Sequence, residues 1–591
     1  MSEAAKPAAP AASASSNAHA SHPARATPPV VIGINRTQDA SLCITDGERM
    51  QVAIQKERLT RHKHHWGRVG DLQKVYAPAL AALDCRPDVI VECFSSDAEI
   101  RKLDDYEAEL RQTLDPAPSC RRARISHHLA HLYSAFHPSP FESAAVMVID
   151  GQGSAVRDFT EKVPGLVAPG HWREVASFYQ ADRRRVECLG KQLWDCDDTT
   201  LVGLGMFYFL LTQAIFPGDG NEGKVMGLAP YGDPNALRLP GLDVEDGAVR
   251  IPAAWVDIVH QGKRFRYPEG AGREHYAFVE AANLAAAGQQ AFEDALVELA
   301  CWLHERTGAE HLCFAGGTAL NCSANQRLRR ETPFRQIFIP PAPGDAGAAI
   351  GCALYGVAEL LGTAPTWRWR TDALGPQPSA AAVESVVTQA MQAAQQERDL
   401  IVERIDDRDA LAERMTELLL AGKVLGVCQG RSEFGPRALG QRSILADPRS
   451  GKVRDWINAR VKQREWFRPL APVVLAEHAD DWFDVRGASP FMQFAVPVHP
   501  AVVAQIPAVT HVDRSARVQT VAPDDDPLLR RVLECCDART GVPVLLNTSF
   551  NRREEPIVET PAEALATFLA TPLHALVLPP FVLRKREETG I

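Results

Sequence analysis

Three short apolar runs each end at glycine or aspartate and precede a segment of helical composition, which is typical of an α/β domain. Residues 144–149 lead into Asp150-Gly151, and residues 311–314 lead into Gly316-Gly317. A third run, 336–339, leads through two prolines to Gly344-Asp345. Ligands of α/β sheets bind outside the carboxyl ends of the strands. We therefore expect the chemistry of this part of the chain at these three points.

An antiparallel meander is predicted at the start of the ordered chain. Its strands are expected at residues 30–35, 41–45 and 51–55, and Asp46-Gly47 predicts a tight turn between the last two. A meander that opens a large α/β chain is found in actin-like ATPases, which is an analogy at the level of the fold.

Composition divides the 591 residues further, and this length predicts two to four domains at roughly 150 residues each. Residues 1–29 are mostly Ala, Pro, Ser and His; they lack the core of a secretory signal and predict a disordered tail. Residues 366–400, rich in Pro and then in Ala and Gln, predict a linker between an α/β domain at 30–365 and an α+β domain at 401–591. The second domain has a different strand pattern, with strands expected at 423–429, 491–498, 518–521 and 543–546.

Charge and cysteine content exclude several classes of protein. Lys and Arg number 64 against 74 Asp and Glu, a net charge of −10 that disfavours a nucleic-acid partner. No run of eighteen apolar residues is present, so no membrane span is expected. The 13 cysteines include no CxxC pair, so neither a disulfide framework nor a thiolate zinc site is indicated. We expect a protein of the reducing cytoplasm.

A candidate metal site comes from His127 and His131, which are four residues apart and share one face of a helix. Such a pair is common by chance, but Asp150 and Asp345 stand at two of the strand exits. Two imidazoles and two carboxylates suit Fe, Mn or Zn without a thiolate. His128 lies on a different face of the same helix and is expected to pack or to support the ligands.

Two glycine-rich segments are candidate anion sites. The segment 218–225 matches GxGxxG and most of a P-loop, but Val225 replaces the required Ser or Thr and a helix rather than a strand is expected before it. We expect a loop there that offers Glu222 and Lys224. After the second run, Gly316, Gly317 and Asn321 stand where backbone N–H groups can approach a phosphate at a helix N-terminus.

Basic residues near turns mark the C-terminal domain, although the net charge of the chain is negative. Arg forks and Lys ammonium groups bind phosphate oxygens, so this pattern predicts a local anion site rather than a nucleic-acid surface. The residues concerned, together with polar residues of a late motif, are Arg437, Lys462, Arg468, Arg517, Asn547 and Ser549.

Taken in order, the motifs EGKVMGLAPYG, GGTALN, EFGPRALGQRSILADPR, FRPLAP and LLNTSFN resemble the tobramycin and nodulation-factor carbamoyltransferases over nearly the whole chain. The resemblance implies an N-terminal actin-like domain similar to the tRNA threonylcarbamoyl transferases and a C-terminal YrdC-like domain. It implies formation of carbamoyl-adenylate from carbamoyl phosphate and ATP, with Mg²⁺, in the second domain. The carbamoyl group would then pass to a hydroxyl of a small natural product in the first domain, beside a metal that is usually Fe²⁺.

Roles follow from the same resemblance, position by position. The metal ligands would be His127, His131, Asp150 and Asp345. The adenylate would meet Glu222, Lys224, Gly316, Gly317 and Asn321 in the first domain. Carbamoyl phosphate and ATP would meet Arg437, Lys462, Arg468, Arg517, Asn547 and Ser549, and a catalytic role is implied for Asp39. A homodimer is compatible with the sequence.

Three positions depart from the family pattern. Gln38 stands where the family has the His of His-Asp-Ala-Ser, and a glutamine cannot act as a general base. Ser154 replaces the Glu of Asp-Gly-x-Gly-Glu, and Glu554 replaces a Gly. We expect the presence of Gln38 at the position of the family His to be linked to a different acceptor.

Three other functions share parts of this pattern. A tRNA threonylcarbamoyl-type transferase would share the metal helix but would lack the GPRALG and NTSFN motifs. A hydrogenase-maturation protein would carry an acylphosphatase-like domain and CxxC pairs. A non-catalytic sensor of actin-like fold would not turn over ATP. The acceptor itself, whether sugar, nucleoside, polyketide or peptide, is not defined by the sequence.

Overall fold

The computed structural model describes residues 28–81, 86–95, 101–197, 200–261, 263–397 and 400–586. The predicted disordered tail, apart from its last two residues, lies outside the described residues. No described helix combines the length and the apolar character that crossing a membrane requires.

The first sheet contains the predicted meander and two further strands. Its central strand pairs antiparallel with the second strand and parallel with the fourth, and the fourth pairs parallel with the fifth. In spatial order the strands are Met50–Gln55, Ser41–Thr45, Val31–Asn35, Val89–Cys93 and Arg121–Ile125.

The second sheet repeats this arrangement. Its first strand in sequence is again central, antiparallel to the next strand of the chain and parallel to a later one. In spatial order the strands are Val186–Trp194, Arg173–Asp182, Ser143–Ile149, His311–Ala315 and Gln336–Phe338. Two sheets of equal strand order and direction form the duplicated α/β core expected of an actin-like fold, so this prediction is confirmed.

Helices cover the two sheets, and a short hairpin, Asp243–Glu245 with Ala248–Arg250, lies outside them. The helices are Lys56–Thr60, Asp71–Lys74, Ala77–Leu80, Leu103–Leu114, His127–Phe136, Leu204–Ile215, Glu222–Leu228, Ala253–His260, Tyr276–Thr307, Cys322–Glu331 and Ala348–Tyr355.

Two glycines bring the small-residue helix Ala348–Tyr355 into contact with both neighbouring elements. A Cβ on Gly33 would lie 2.0 Å from the Ala349 carbonyl oxygen, and one on Gly351 would lie 1.8 Å from the Ala130 carbonyl oxygen. Only glycine permits such close backbone approach. The helix is thereby held between the first sheet and the helix His127–Phe136, which sets the position of Asp345 just before it.

The C-terminal part is built on one mixed sheet of eight strands. In spatial order these are Leu400–Arg404, Phe581–Lys585, Ala575–Leu578, Leu425–Cys428, Arg442–Ala446, Val544–Ser549, Ala471–Leu475 and Gln519–Val521, with a separate pair, Ala495–Pro497 and Ser515–Arg517. Its helices are Ala380–Glu397, Arg408–Leu420, Gly451–Trp456, Ala479–Trp482, Pro527–Thr540 and Pro561–Leu569. The strand expected at 491–498 covers only 495–497, because Met492 has a φ of 56°, outside the β region.

The N-terminal and C-terminal parts share buried apolar contacts. One continuous core cluster contains Ala342 and Trp369 together with Phe434, Leu439 and Phe491. The helix Ala380–Glu397 lies inside the predicted linker 366–400. The domain boundaries and the YrdC-like character of residues 401–591 stay predictions.

Candidate functional site

The four residues predicted as metal ligands lie together. His127 and His131 occupy the first two turns of the helix His127–Phe136, and both are fully buried. Asp150 directly follows the strand Ser143–Ile149, and Asp345 precedes the helix Ala348–Tyr355. One ligand atom of each residue lies within 4.8 Å of the others. The spacing of four residues on one helix, the end of one strand and the start of another helix therefore bring these four side chains into one compact cluster.

Both imidazoles turn the same ring nitrogen towards the carboxylates. The Nε2 atoms of His127 and His131 are 3.1 Å apart, and each lies 3.3 Å from Asp150 Oδ2. Asp345 Oδ1 lies 3.3 Å from Nε2 of His127 and 3.8 Å from that of His131. Four donor atoms thus converge on one point.

Electrostatics couples the protonation of these groups. Burial alone lowers the pKa of His127, but the carboxylates of Asp345 and Asp150 outweigh it and raise the pKa well above its ordinary value. Burial alone raises the pKa of Asp150, but the two imidazoles outweigh it and hold the pKa well below its usual range. The carboxylates are therefore ionised and available as ligands.

The cluster fits a divalent transition metal. Two imidazole nitrogens and two carboxylate oxygens are a donor set for Fe, Mn or Zn. The Nε2 atoms face one another although only one of them can donate to the other, and the Nδ1 atoms are buried without a hydrogen-bond partner among the described residues. A bound cation would remove the conflict between the facing Nε2 atoms.

Neighbouring groups orient the ligands. Thr37 Oγ1 donates to Asp345 Oδ2 at 2.8 Å, and the Gly317 N–H donates to Asp150 Oδ1 at 3.2 Å. The hydroxyl of Ser154, a position that departs from the family pattern, accepts the His127 N–H at 2.9 Å. Glu174 on the adjacent strand accepts the N–H groups of His128 and Ser154, both at 3.0 Å. Glu174 of the strand Arg173–Asp182 thus binds a backbone N–H group at the start of the helix His127–Phe136.

The expected loop around Glu222 and Lys224 is a helix, Glu222–Leu228, so that prediction is wrong. Val225 and Leu228 are fully buried, and this apolar anchoring stabilises the helix despite Gly223 and Gly227. Lys224 Nζ lies 3.0 Å from Glu465 Oε1, in the C-terminal part. Lys224 therefore faces the second predicted site.

Gly316, Gly317 and Asn321 lie at the exit of the strand His311–Ala315, as predicted. Gly316 has a φ of 94°, and a Cβ there would lie 2.1 Å from the Ile149 carbonyl oxygen. Asn321 caps the helix Cys322–Glu331 by accepting the Ala324 N–H, and it exchanges hydrogen bonds with Gln289. Of these residues, Gly317 contacts the cluster of four candidate ligands directly, through its N–H to Asp150.

In the C-terminal part, Lys462 and Ser549 are in direct contact. Lys462 Nζ donates to Ser549 Oγ at 3.0 Å, to Asn551 Oδ1 at 2.6 Å and to the Ser549 carbonyl. Burial, with the nearby charges of Arg464, Lys63 and Arg468, lowers the pKa of Lys462 well below its ordinary value. Among the described residues, the oxygens that accept hydrogen bonds from this amine all belong to neutral groups.

Three further arginines lie near one another. Burial and the charges of Arg517 and Arg468 lower the pKa of Arg437 to about 9. The described part of the chain contains no carboxylate paired with Arg437 or Arg517, and Arg468 lies 3.7 Å from Glu465. We call Arg437, Lys462, Arg464, Arg468 and Arg517 the cation cluster.

Asn547 differs from the rest of its predicted group. It is fully buried in the strand Val544–Ser549, and its amide donates to the Ala438 carbonyl and to Gln519 Oε1. The first of these bonds fixes the residue that directly follows Arg437, so Asn547 stabilises the backbone next to the cation cluster.

Sequence reasoning missed Arg464, Asn551, Lys63 and His64 as site residues. Burial, followed by the charge of Arg468, lowers the pKa of Arg464 well below its ordinary value. Arg464 stands in the same basic motif as Lys462 and could have been selected on that ground. Lys63 and His64 belong to the segment 61–65, which is far from both motifs in sequence and gave no such indication.

Comparison with known proteins agrees with this geometry. The chain matches the family models "Carbamoyltransferase N-terminus" over residues 119–354 and "Carbamoyltransferase C-terminus" over residues 416–585. The first of these ranges contains His127, His131, Asp150 and Asp345, which we call the metal-type cluster, and the second contains the cation cluster.

The nodulation protein NolNO of Sinorhizobium fredii is 36% identical over 93% of this chain and 79% of its own length. The nodulation protein NolO of Bradyrhizobium diazoefficiens is 36% identical over 78% of this chain and 79% of its own. Among solved structures, full-length HypF in its phosphate- and nucleotide-bound form covers 56% of this chain and 47% of its own at 13% identity and a TM-score of 0.34. The chain belongs to the carbamoyltransferase family and is a transferase enzyme.

Proposed function

We propose that the protein is an ATP-dependent O-carbamoyltransferase of the cytoplasm that works in two steps at two sites. At the cation cluster, water cleaves carbamoyl phosphate to carbamate and phosphate, and carbamate then reacts with ATP and Mg²⁺ to give carbamoyl-adenylate and pyrophosphate. At the metal-type cluster, the carbamoyl group passes to a hydroxyl of a small natural product and AMP leaves. Residues 30–365 and 401–591 would form the two domains, joined by 366–400.

The first step brings highly charged molecules together, and the cation cluster offsets their repulsion. Carbamate oxygen attacks the α-phosphate of ATP, the bond to pyrophosphate breaks, and pyrophosphate leaves with the electron pair. Fixed cations around the phosphates stabilise the charge that develops in such a transition state. Arg437 and Arg517 are free to bind because neither has a carboxylate partner among the described residues.

The second step takes place where His127, His131, Asp150 and Asp345 would hold a metal ion, most simply Fe²⁺, with Mn or Zn as alternatives. A metal bound there would polarise the carbamoyl carbonyl as a Lewis acid. Gly316, Gly317 and Asn321 would position the adenylate beside it. Thr37 and Gly317 fix the carboxylates through the hydrogen bonds described above.

One observation supports the proposal: a cluster of cations without matching carboxylates and a cluster of two imidazoles and two carboxylates occur in one chain. Lys224 of the first part pairs with Glu465, which also lies beside Arg468. Lys63 of the N-terminal part also lies near the cation cluster. Desolvation and the charges of Arg468 and Arg464 lower its pKa, against the opposing effect of Glu57. The N-terminal part of the chain therefore contacts the edge of the cation cluster directly.

Separating the two steps tests the proposal. Arg437→Ala is expected to abolish pyrophosphate release that depends on carbamoyl phosphate, with no acceptor present. His127→Ala is expected to retain that release but to lose carbamoylation of an acceptor from a panel of glycosides and nucleosides.

Synthetic carbamoyl-adenylate completes the experiment. It is expected to restore acceptor carbamoylation by Arg437→Ala but not by His127→Ala. Equal loss of pyrophosphate release in both variants, with rescue of neither, would contradict the division into two sites.

A further inference from the structure

A second group of titratable side chains lies outside the metal-type cluster. Asp39, Glu57 and His64 each place one oxygen or nitrogen within 4.8 Å of the others. His64 Nδ1 and Asp39 Oδ1 are hydrogen-bonded at 2.9 Å, and Glu57 Oε2 accepts the backbone N–H of His64 at 3.2 Å. The ring is therefore fixed through one nitrogen and through its backbone. The Nε2 atom makes no hydrogen bond to any described residue.

The backbone on both sides of this pair is tied together. Ala40 donates to the His65 carbonyl and Gly67 donates to the Thr37 carbonyl, both at 3.1 Å. Asp39 has a φ of 51°, which is uncommon for a residue other than glycine. Such strain persists only where the surroundings impose it, and it occurs often at functional sites. The orientation of Asp39 towards His64 is built into the fold.

The pair lies between the two clusters. Asn35 Nδ2 donates to the Asp39 carbonyl at 3.3 Å and to the Asp345 carbonyl at 2.8 Å, so one side chain joins this turn to a metal-type ligand. On the other side, Lys63 borders the cation cluster. A carbamoyl-adenylate that moves from one cluster to the other would pass close to His64.

His64 is partly open to solvent, and its free ring nitrogen lies against a glycine. The His64 side chain is 37% exposed. A Cβ on Gly220 would lie only 2.4 Å from His64 Nε2, so only glycine lets the backbone at position 220 pass this close to the ring. A small nucleophile can reach the ring from its exposed side.

We propose that His64, oriented by Asp39, accepts the proton of the acceptor hydroxyl during carbamoyl transfer. This inference rests on the proposed function. The hydroxyl oxygen bonds to the carbamoyl carbon, the bond from that carbon to the adenylate phosphate oxygen breaks, and AMP leaves with the electron pair. The proton goes to His64 Nε2 and then to solvent. Gln38, at the position of the family histidine, cannot take it.

The charged groups around His64 determine how its activity depends on pH. The hydrogen bond to Asp39 and, more weakly, Glu57 raise its pKa to about 9, against burial and Lys63. Glu222 also lies close enough for the charge of this ring to affect its pKa. His64 is thus mostly protonated at neutral pH, and the fraction able to accept a proton grows as pH rises. Transfer to an alcohol should increase with pH and level off near pH 9.

The test supplies the full-length protein with synthetic carbamoyl-adenylate and two kinds of nucleophile. One is a panel of methyl glycosides and nucleosides, whose hydroxyls need a base. The other is hydroxylamine, whose neutral nitrogen attacks without one. His64→Gln is expected to lower carbamate formation by about 10²-fold or more, because general-base catalysis contributes about that much. Hydroxyurea formation should change by no more than a few-fold.

Two further variants sharpen the test. His62→Gln, two residues away and exposed, should match the wild type with both nucleophiles. Asp39→Asn removes the largest cause of the raised pKa, so the rise of the alcohol reaction should move to lower pH and reach a lower plateau.

The outcomes are distinguishable. A wild-type protein that carbamoylates neither nucleophile would contradict the proposed function itself. Loss of hydroxyurea in parallel with the carbamate in His64→Gln would show a structural role and overturn only this inference. An alcohol reaction of the wild type that does not change up to pH 9 would overturn it as well.

Discussion

The metal-type cluster and the cation cluster differ in how their charges are balanced. In the first, two imidazoles meet two carboxylates at 3.3–3.8 Å. In the second, five cationic side chains lie near one another, and Glu465 is the one carboxylate within ion-pair distance of any of them in the described ranges. The first can hold its own charges in the free protein, whereas the second needs an anion.

The imbalance of charge at the cation cluster indicates an anionic ligand and lowers the stability of the free protein. Buried like charges raise the free energy of the folded state, and a ligand of opposite charge recovers it. The lowered pKa values of Arg437, Lys462 and Arg468 report that cost. At the metal-type cluster the pKa shifts favour the charged forms. The pKa of His127 is raised and that of Asp150 is lowered, because each group stabilises the charged form of its neighbour.

The largest expected effect is at Lys462. Lys462→Ala should lower carbamoyl-phosphate-dependent pyrophosphate release by about 10²-fold or more, roughly 3 kcal/mol, since it removes a buried cation from the polyphosphate site. Pyrophosphate measured against time checks this, with the exposed Lys452→Ala as the control. Full activity of Lys462→Ala would mean that the cation cluster is not where ATP reacts.

His131→Ala should remove the metal, because one of four ligands is lost. We expect about one metal ion per wild-type chain by elemental analysis, released by a chelator, and almost none in the variant. The exposed His171→Ala should keep its metal. Carefully purified wild-type protein without metal but with full transfer activity would contradict the assignment of this cluster.

A smaller effect is expected at Thr37. Thr37→Val preserves the shape of the side chain but removes the hydrogen bond to Asp345 Oδ2. Loss of such a supporting contact weakens metal binding by about 10- to 100-fold. Thr37→Ser keeps a hydroxyl and should bind the metal with the affinity of the wild type. Titration with competing chelators would measure the affinity of all three proteins. Equal affinities in all three proteins would show that Asp345 needs no such support.

The smallest effect should have the opposite sign. Arg517→Met removes one charge from the cation cluster, in which Arg517 Nε is buried without a hydrogen-bond partner. We expect the unliganded variant to be more stable than the wild type by about 1 kcal/mol, seen as a Tm a few degrees higher. With saturating tripolyphosphate the order should reverse. A variant less stable in both conditions would show that the cluster is not strained.

Local periodicity was sufficient for the metal-type cluster. A spacing of four residues puts His127 and His131 on one face of any helix, and strand exits place Asp150 and Asp345 at the edge of a sheet. The strand boundaries of the meander in the first sheet were likewise predictable to within one residue. Runs of residues with high β-propensity and the Asp46-Gly47 turn are local features of the sequence. The segment 222–228 was not, because two glycines argue for a loop until the burial of Val225 is known.

Local sequence patterns were enough to predict the meander, the three strands that lead to Asp150, Gly316 and Asp345, the shared helix face of His127 and His131, and a group of basic residues in the C-terminal part, since each of these follows from neighbours along the chain. Three contacts became evident only once the chain was seen folded: Lys224 pairs with Glu465, the Asn547 amide binds the segment after Arg437, and Asp39 orients His64. These contacts join residues brought together by the packing of the two parts and by the paths of their loops. No propensity or spacing encodes them, because their geometry depends on the position of whole elements relative to one another.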